Sequence, residues 1–235
     1  MRNKLERFRE NIERRNVVEP GKPVINDIKG NWRVFFGNQY PVTFELGCGK
    51  GAYTVGLARR YPEQNFVGVD VKGARLWVGS TEAEEEGLTN AAFLRIRLLD
   101  IDQYVAPGEA AALWITFPDP RPRDRDAKRR ITSARFMDLY RHILQPGRTV
   151  HLKTDNQLLF DFTLDSLRER NDVLDLEHTH DLYSSPLYGV EQQITTDYEQ
   201  KFRAQGKRIC YLRFTFNAQA PPVVVTGNRP RREEL

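Results

Sequence analysis

Val42-Thr-Phe-Glu-Leu-Gly-Cys-Gly-Lys-Gly-Ala-Tyr-Thr-Val-Gly-Leu-Ala-Arg-Arg60 reads as an apolar strand, a glycine turn and the opening of a helix. Val42–Leu46 supplies the strand, and Gly47, Gly49 and Gly51 supply a loop whose backbone can approach a ligand with no Cβ in the way. The helix behind the loop offers free N–H groups at its start and ends at Tyr61-Pro62. Phe66–Asp70 predicts the next strand, and its last residue stands about 20 residues past the loop, where a doubly wound fold places an acidic partner for a ribose hydroxyl.

The same alternation continues outward. Gly73–Glu86 predicts a helix closed by Gly87, then strands over Ala92–Leu98 and Leu113–Phe117, then a helix over Ser133–Leu144 stopped by Gln145-Pro146-Gly147. A strand over Thr149–Thr154 and a helix over Leu158–Arg170 follow, with further strands at Val173–Thr179 and Ile209–Phe216. Such alternation implies an α/β chain with a Rossmann-like, doubly wound, mostly parallel sheet of about seven strands. No helix separates the last strand from a final partner, so it is expected to run antiparallel. Residues 1–33 carry nine Lys/Arg against five Asp/Glu and read as a basic extension, partly helical through Leu5, Phe8 and Ile12. The main domain is expected over 34–217. The tail, 218–235, contains Pro221-Pro222 and is expected to be flexible.

Composition narrows the class. The chain has 235 residues, 40% of them hydrophobic, and a formal net charge of +4, so it can bury a full core and is not read as disordered. Cys48 and Cys210 are its two cysteines; with no Cys/His cluster, no metal site is expected. The N-terminus lacks an apolar h-region and no apolar run approaches a membrane span, so a cytoplasmic protein without a membrane partner is expected. His142, His151, His178 and His180 have no partners at catalytic spacing and read as structural or surface residues.

Gly47-x-Gly49-x-x-Ala52 also satisfies a dinucleotide pattern, leaving a nicotinamide-dependent oxidoreductase open. Glu45 tilts the balance, because a carboxylate repels pyrophosphate but attracts the sulfonium and amino group of S-adenosylmethionine. Asp100, after the third strand region, is placed to reach an adenine edge, although an Asp there is equally a turn residue. Phe117-Pro-Asp-Pro120 follows another strand end, where open α/β sheets carry their ligands, and its two prolines stiffen the presentation of Asp119. Of the next ten residues, Arg121 to Arg130, six are basic and two acidic; beside such a loop this run points to phosphate contact.

Taken in order, the Glu45–Gly51 loop, Phe-Pro-Asp-Pro at 117–120, Lys-Arg-Arg at 128–130, Lys-Thr-Asp-Asn at 153–156 and Thr-x-Tyr-Glu at 196–199 resemble the bacterial tRNA (guanine-N7-)-methyltransferases, over residues from about 30 to 216. The resemblance implies that Glu45, Gly47, Gly49, Gly51, Asp70, Asp100 and Asp119 bind S-adenosylmethionine, with Asp119 also at the reaction centre. It implies that Arg123, Asp155, Thr196, Asp197, Tyr198 and Glu199 hold the guanine, and that Arg125, Asp126, Ala127, Lys128, Arg129 and Arg130 touch RNA. The family commonly reads Pro-Asp-Pro-Trp-Pro-Lys and then Arg-His; here Arg121 replaces the Trp, Arg123 the Lys and Asp126 the His. Arginine keeps the charge of lysine with a different geometry. The implied function is methyl transfer to guanine N7 of tRNA, in the variable loop, by a monomer or homodimer. A non-catalytic RNA-binding module with a vestigial pocket is the alternative from outside the enzymes.

Overall fold

Eight strands form one sheet in the computed structural model, which describes residues 2–217 and 219. They are β1 (Val17–Val18), β2 (Val42–Leu46), β3 (Asn65–Asp70), β4 (Ala91–Arg95), β5 (Ala110–Thr116), β6 (Thr149–Thr154), β7 (Val173–Thr179) and β8 (Cys210–Phe216), in the order β1-β4-β3-β2-β5-β6-β8-β7. Only β8 runs against its neighbours, pairing antiparallel with both β6 and β7. The helices are α1 (Lys4–Glu13), α2 (Val24–Asp27), α3 (Trp32–Phe36), α4 (Ala52–Arg60), α5 (Gly73–Glu85), α6 (Ala134–Ile143), α7 (Gln157–Arg168) and α8 (Asp197–Ala204).

The central strands are apolar because helices cover both sheet faces. Every residue of β2 is buried, and Phe44 and Leu46 join the larger core cluster. Chain order reverses at β2, which is flanked by β3 and β5. The carboxyl ends of those strands therefore frame the crevice where such sheets bind ligands.

Three elements differ from the sequence expectation. Val17–Val18 adds an eighth strand, paired parallel with Phe93 and Leu94. The strand expected to reach Leu98 stops at Arg95, and Leu98–Gln103 turns into a 3-10 helix. β5 starts at Ala110, because Ala110 and Ala112 already pair with Val42 and Thr43, and it stops before Phe117, whose φ of 47° is incompatible with a strand.

Packing does not break at 33/34. Val18, Ile25, Ile28 and Trp32 belong to the same core as Val42 and Leu113, and the Trp32 indole donates to the Tyr104 carbonyl at 2.9 Å. Helix α1 is docked on α5 through Trp77, which donates to Glu10 at 2.7 Å and lies under the guanidinium of Arg7 at 4.8 Å. The tail expected at 218–235 lies outside the described residues apart from Gln219.

Candidate active site

The turn after β2 is tied to the end of β3. Gly47 and Cys48 donate to the Val69 carbonyl at 2.8 and 3.0 Å, and Gly49 donates to the Asp70 carboxylate at 3.1 Å. The other Asp70 oxygen accepts from the Lys72 N–H at 2.8 Å. Gly51 opens α4 with φ of 78°, and a Cβ there would run into the Phe93 ring. Gly79 on α5 is also confined: a Cβ would lie 2.6 Å from the Lys50 carbonyl. The loop is thus pressed onto α5 by two glycines, with its open side toward a cavity of about 870 Å³.

Glu45 lies behind this loop instead of in the cavity wall. It is buried, accepts from the Thr54 N–H at 2.9 Å, and takes hydroxyl bonds from Thr54 and Thr116 at 2.5 Å each. Burial raises its carboxyl to about 7, against the lowering effect of those hydroxyls. Its visible task is to join β2, α4 and β5. Cys48 is likewise buried and packs against Gly68.

Asp70 and Asp119 both line the cavity. The Asp119 loop is strained at each end: Phe117 and Arg121 have φ of 47° and 45°, and each precedes a proline. The Phe117 N–H is pinned to the Lys153 carbonyl at 2.9 Å, and the Arg121 N–H donates to Asp119 at 3.2 Å. Asp119 is exposed to the cavity on a rigid support. Asp100 is not among the residues that line the cavity. Its carboxylate accepts from the Arg97 guanidinium at 2.8 and 3.1 Å, and the cavity wall there consists of Ile96 to Leu99.

The residues expected to grip the base divide. Thr196 caps α8 by accepting from the Glu199 N–H at 3.2 Å, and Thr196, Asp197 and Tyr198 line the cavity. Asp197 pairs with Lys50 of the glycine loop at 3.2 Å. Glu199 instead points inward, fully buried against Lys153 at 2.9 Å. Asp155 pairs with Lys207 at 2.8 Å, and neither Asp155 nor Arg123 lines the cavity.

The basic run divides too. Arg123, Arg125 and Lys128 are exposed, while Arg129 lines the cavity and pairs with Asp126 at 3.3 Å. Ala127 sits within the 3-10 turn Asp124–Arg129 and accepts from the Arg130 N–H at 3.1 Å. Arg130 is buried, donates to the Arg121 carbonyl at 3.2 Å and covers the Phe162 ring. It braces the Asp119 loop and is not a surface contact.

Lys153 has no role in the sequence reading beyond its place in the 153–156 motif, although a lysine beside apolar positions in a central strand is a visible signal; it is a fully buried ammonium at the end of β6. Arg135 and Phe136, at the start of α6, also join the wall unforeseen. Among the described residues, no group of three His, Cys, Asp or Glu side chains could hold a metal ion, and no helix is long and apolar enough to cross a membrane.

A glycine loop and a strand-end carboxylate at the reversal point of a parallel sheet define a Rossmann-like cofactor site, and the family model described as a putative methyltransferase, which matches residues 39–212, makes the chain a methyltransferase. A tRNA (guanine-N(7)-)-methyltransferase of Cytophaga hutchinsonii is 47% identical over 216 residues, 92% of this chain and 98% of its own length. Proteins of the same name from Christiangramia forsetii and Halalkalibacterium halodurans are 41% and 38% identical, over 91% and 82% of this chain and 97% and 86% of theirs. The chain belongs to the tRNA (guanine-N(7)-)-methyltransferase family. Among solved structures, the 16S rRNA methyltransferase KamB matches with a TM-score of 0.57 at 14% identity, over 76% of this chain and 89% of its own. A mutant 16S rRNA (adenine(1408)-N(1))-methyltransferase of Catenulisporales acidiphilia, with cosubstrate SAM, matches at 0.54 and 15% identity, over 83% and 93%. These two likenesses concern the fold. The family makes S-adenosylmethionine the cofactor, and the dinucleotide alternative falls away.

Proposed function

We propose that this protein methylates N7 of a guanine in tRNA, in the variable loop. The observation that carries the proposal is a single cavity lined by the glycine loop, Asp70, Asp119 and the Thr196–Tyr198 turn. Its lining fits the cofactor: a loop at Gly47 and Gly49 that a ligand can approach with no Cβ in the way, and a carboxylate at Asp70 for ribose hydroxyls. When bound, S-adenosylmethionine supplies an electrophilic methyl group.

Guanine N7 offers a lone pair and carries no proton, so no side chain has to act as a strong base. The protein's work is alignment and exclusion of water. Methylation places positive charge on the purine, and Asp119, held between two strained residues, stabilises that charge without rearranging. Thr196 and Asp197 present a hydroxyl and a carboxylate to the base edge, and Tyr198 presents a ring face beside them. Arg123, Arg125, Lys128 and Arg129 draw in the phosphates flanking an extruded nucleotide. Mass spectrometry of nucleosides and of nuclease fragments from unmodified tRNA incubated with the protein and S-adenosylmethionine tests the proposal; 7-methylguanosine in the variable-loop fragment is expected, and its absence would refute it.

A further inference from the structure

Lys153 touches both sides of the cavity. Its carbonyl receives the Phe117 N–H at 2.9 Å, at the root of the Asp119 loop, and its register partner on β5 is Thr116. Its ammonium donates to the carbonyls of Gln192 and Ile194 at 3.1 and 3.2 Å and to the Glu199 carboxylate at 2.9 Å, so all three protons are committed. Glu199 lies in the first turn of α8, directly after Thr196, Asp197 and Tyr198 of the cavity wall. The Tyr183 hydroxyl donates to Glu199 at 2.8 Å, and the Tyr53 ring lies 5.3 Å from the ammonium while its hydroxyl donates to the Glu191 carbonyl at 2.8 Å. Between β7 and β8 the regular structure is 3-10 turns at Leu182–Ser184 and Glu191–Gln193 and helix α8, joined by irregular loops.

We propose that Lys153 is a positioning residue: its main chain anchors the Asp119 loop while its side chain fixes the Thr196–Tyr198 wall against it, setting the width of the base-binding gap. The proposal rests on the tRNA reading above. Three acceptors along residues 192–199, all bound to one buried ammonium, leave that stretch one resting place. Removing the ammonium strands the Glu199 carboxylate and two carbonyls in the interior. Residues 191–199 would then move outward to hydrate them and widen the gap. The glycine loop and Asp70 have their own bonds, to Val69 and to Gly49 and Lys72, and the Lys50–Asp197 pair that links loop to wall is exposed and weak, so cofactor binding is spared.

The test uses Lys153→Met in the full chain. The KM for tRNA is expected to rise by about tenfold or more, while the Kd for S-adenosylmethionine measured by calorimetry stays within about twofold. Amide exchange over 191–204 is expected to speed up while that over 42–70 keeps its protection. Glu199→Gln keeps the shape and removes the charge. It is expected to move KM and exchange in the same direction by a smaller factor, and it decides the matter if Lys153→Met fails to fold. Unchanged tRNA KM and unchanged exchange in a folded variant would overturn the proposal. So would losses spread equally over tRNA binding, cofactor binding and exchange everywhere, which mark a merely structural lysine. If the parent protein makes no 7-methylguanosine, the tRNA reading fails by itself, and the exchange pattern still decides whether Lys153 holds the wall.

Discussion

Arg130 lays its guanidinium over the Phe162 ring at 4.4 Å, so the last residue of the basic run faces the interior while Arg125, five residues earlier, faces solvent. The two arginines should therefore fail in different ways. Arg130→Ala removes the packing on Phe162 and the bond to the Arg121 carbonyl, and should lower stability by about 1–3 kcal/mol in thermal or chemical melts. Arg125→Ala should leave the melting temperature unchanged and reduce the salt slope of tRNA binding by about one. Identical behaviour of the two variants in melts and salt titrations would contradict this division.

Asp119 is held by backbone at both ends of its loop and lends little to the core. Asp119→Asn should therefore melt with the parent protein yet lose about a hundredfold or more in single-turnover methyl transfer. Activity within a few-fold of the parent would remove Asp119 from the reaction centre.

Two buried groups tilt stability in opposite directions with pH. Glu45 ionises near 4.5 when unfolded and near 7 when folded, because of burial, so the folded chain holds the extra proton and stability falls as pH climbs from 4.5 to 7. His151 is depressed from 6.5 to about 3, by burial and then by the Arg213 charge; its contribution is present above 6.5 and is lost as pH falls toward 3. The ring stacks on Trp114 at 4.0 Å and bonds the Tyr211 hydroxyl at 2.8 Å, which suits a neutral imidazole. Between about pH 4.5 and 6.5 the two slopes oppose each other. Glu45→Gln should expose the His151 slope, with the melting temperature rising across that interval relative to the parent. His151→Phe, which keeps a stacked ring, should tilt it the other way. Melting curves parallel to the parent in both variants would exclude this coupling.

Gly79 gives a sharper steric test. A methyl there meets the Lys50 carbonyl at 2.6 Å and the Phe93 ring at 2.8 Å. Gly79→Ala should cost about 1–3 kcal/mol in denaturant unfolding. By pushing the glycine loop off α5 it should also weaken S-adenosylmethionine binding in calorimetry. Parent-like affinity and stability together would show that the loop does not depend on this contact.

Much of this was legible in the sequence. The strand-loop-helix around Gly47–Gly51, Asp70 at a strand end and the stiff loop around Asp119 follow from local spacing, and the structure places Asp70 and Asp119 on one cavity. Side-chain direction was not legible. In strands covered on both faces, apolar residues point both ways, so nothing in the pattern says that Glu45 turns inward to Thr54 and Thr116. Charge alone does not separate Arg130, seated on an aromatic ring, from Lys128 on the surface. Glu199 lies one residue past Tyr198, yet the helical turn sends it to Lys153 while Tyr198 stays more than half exposed. Val17–Val18 is too short to show any period, and only its pairing with β4 reveals it.

That two-residue strand has a consequence for how the molecule behaves in company. It occupies the outer flank of β4, whose Phe93 N–H bonds to the Asn16 carbonyl at 2.8 Å. Were the leading segment clipped or peeled away, β4 would present bare amides and carbonyls beside a strip of apolar side chains. A strand from another molecule could then zip onto that flank, so the opening residues protect solubility as well as adding to the core.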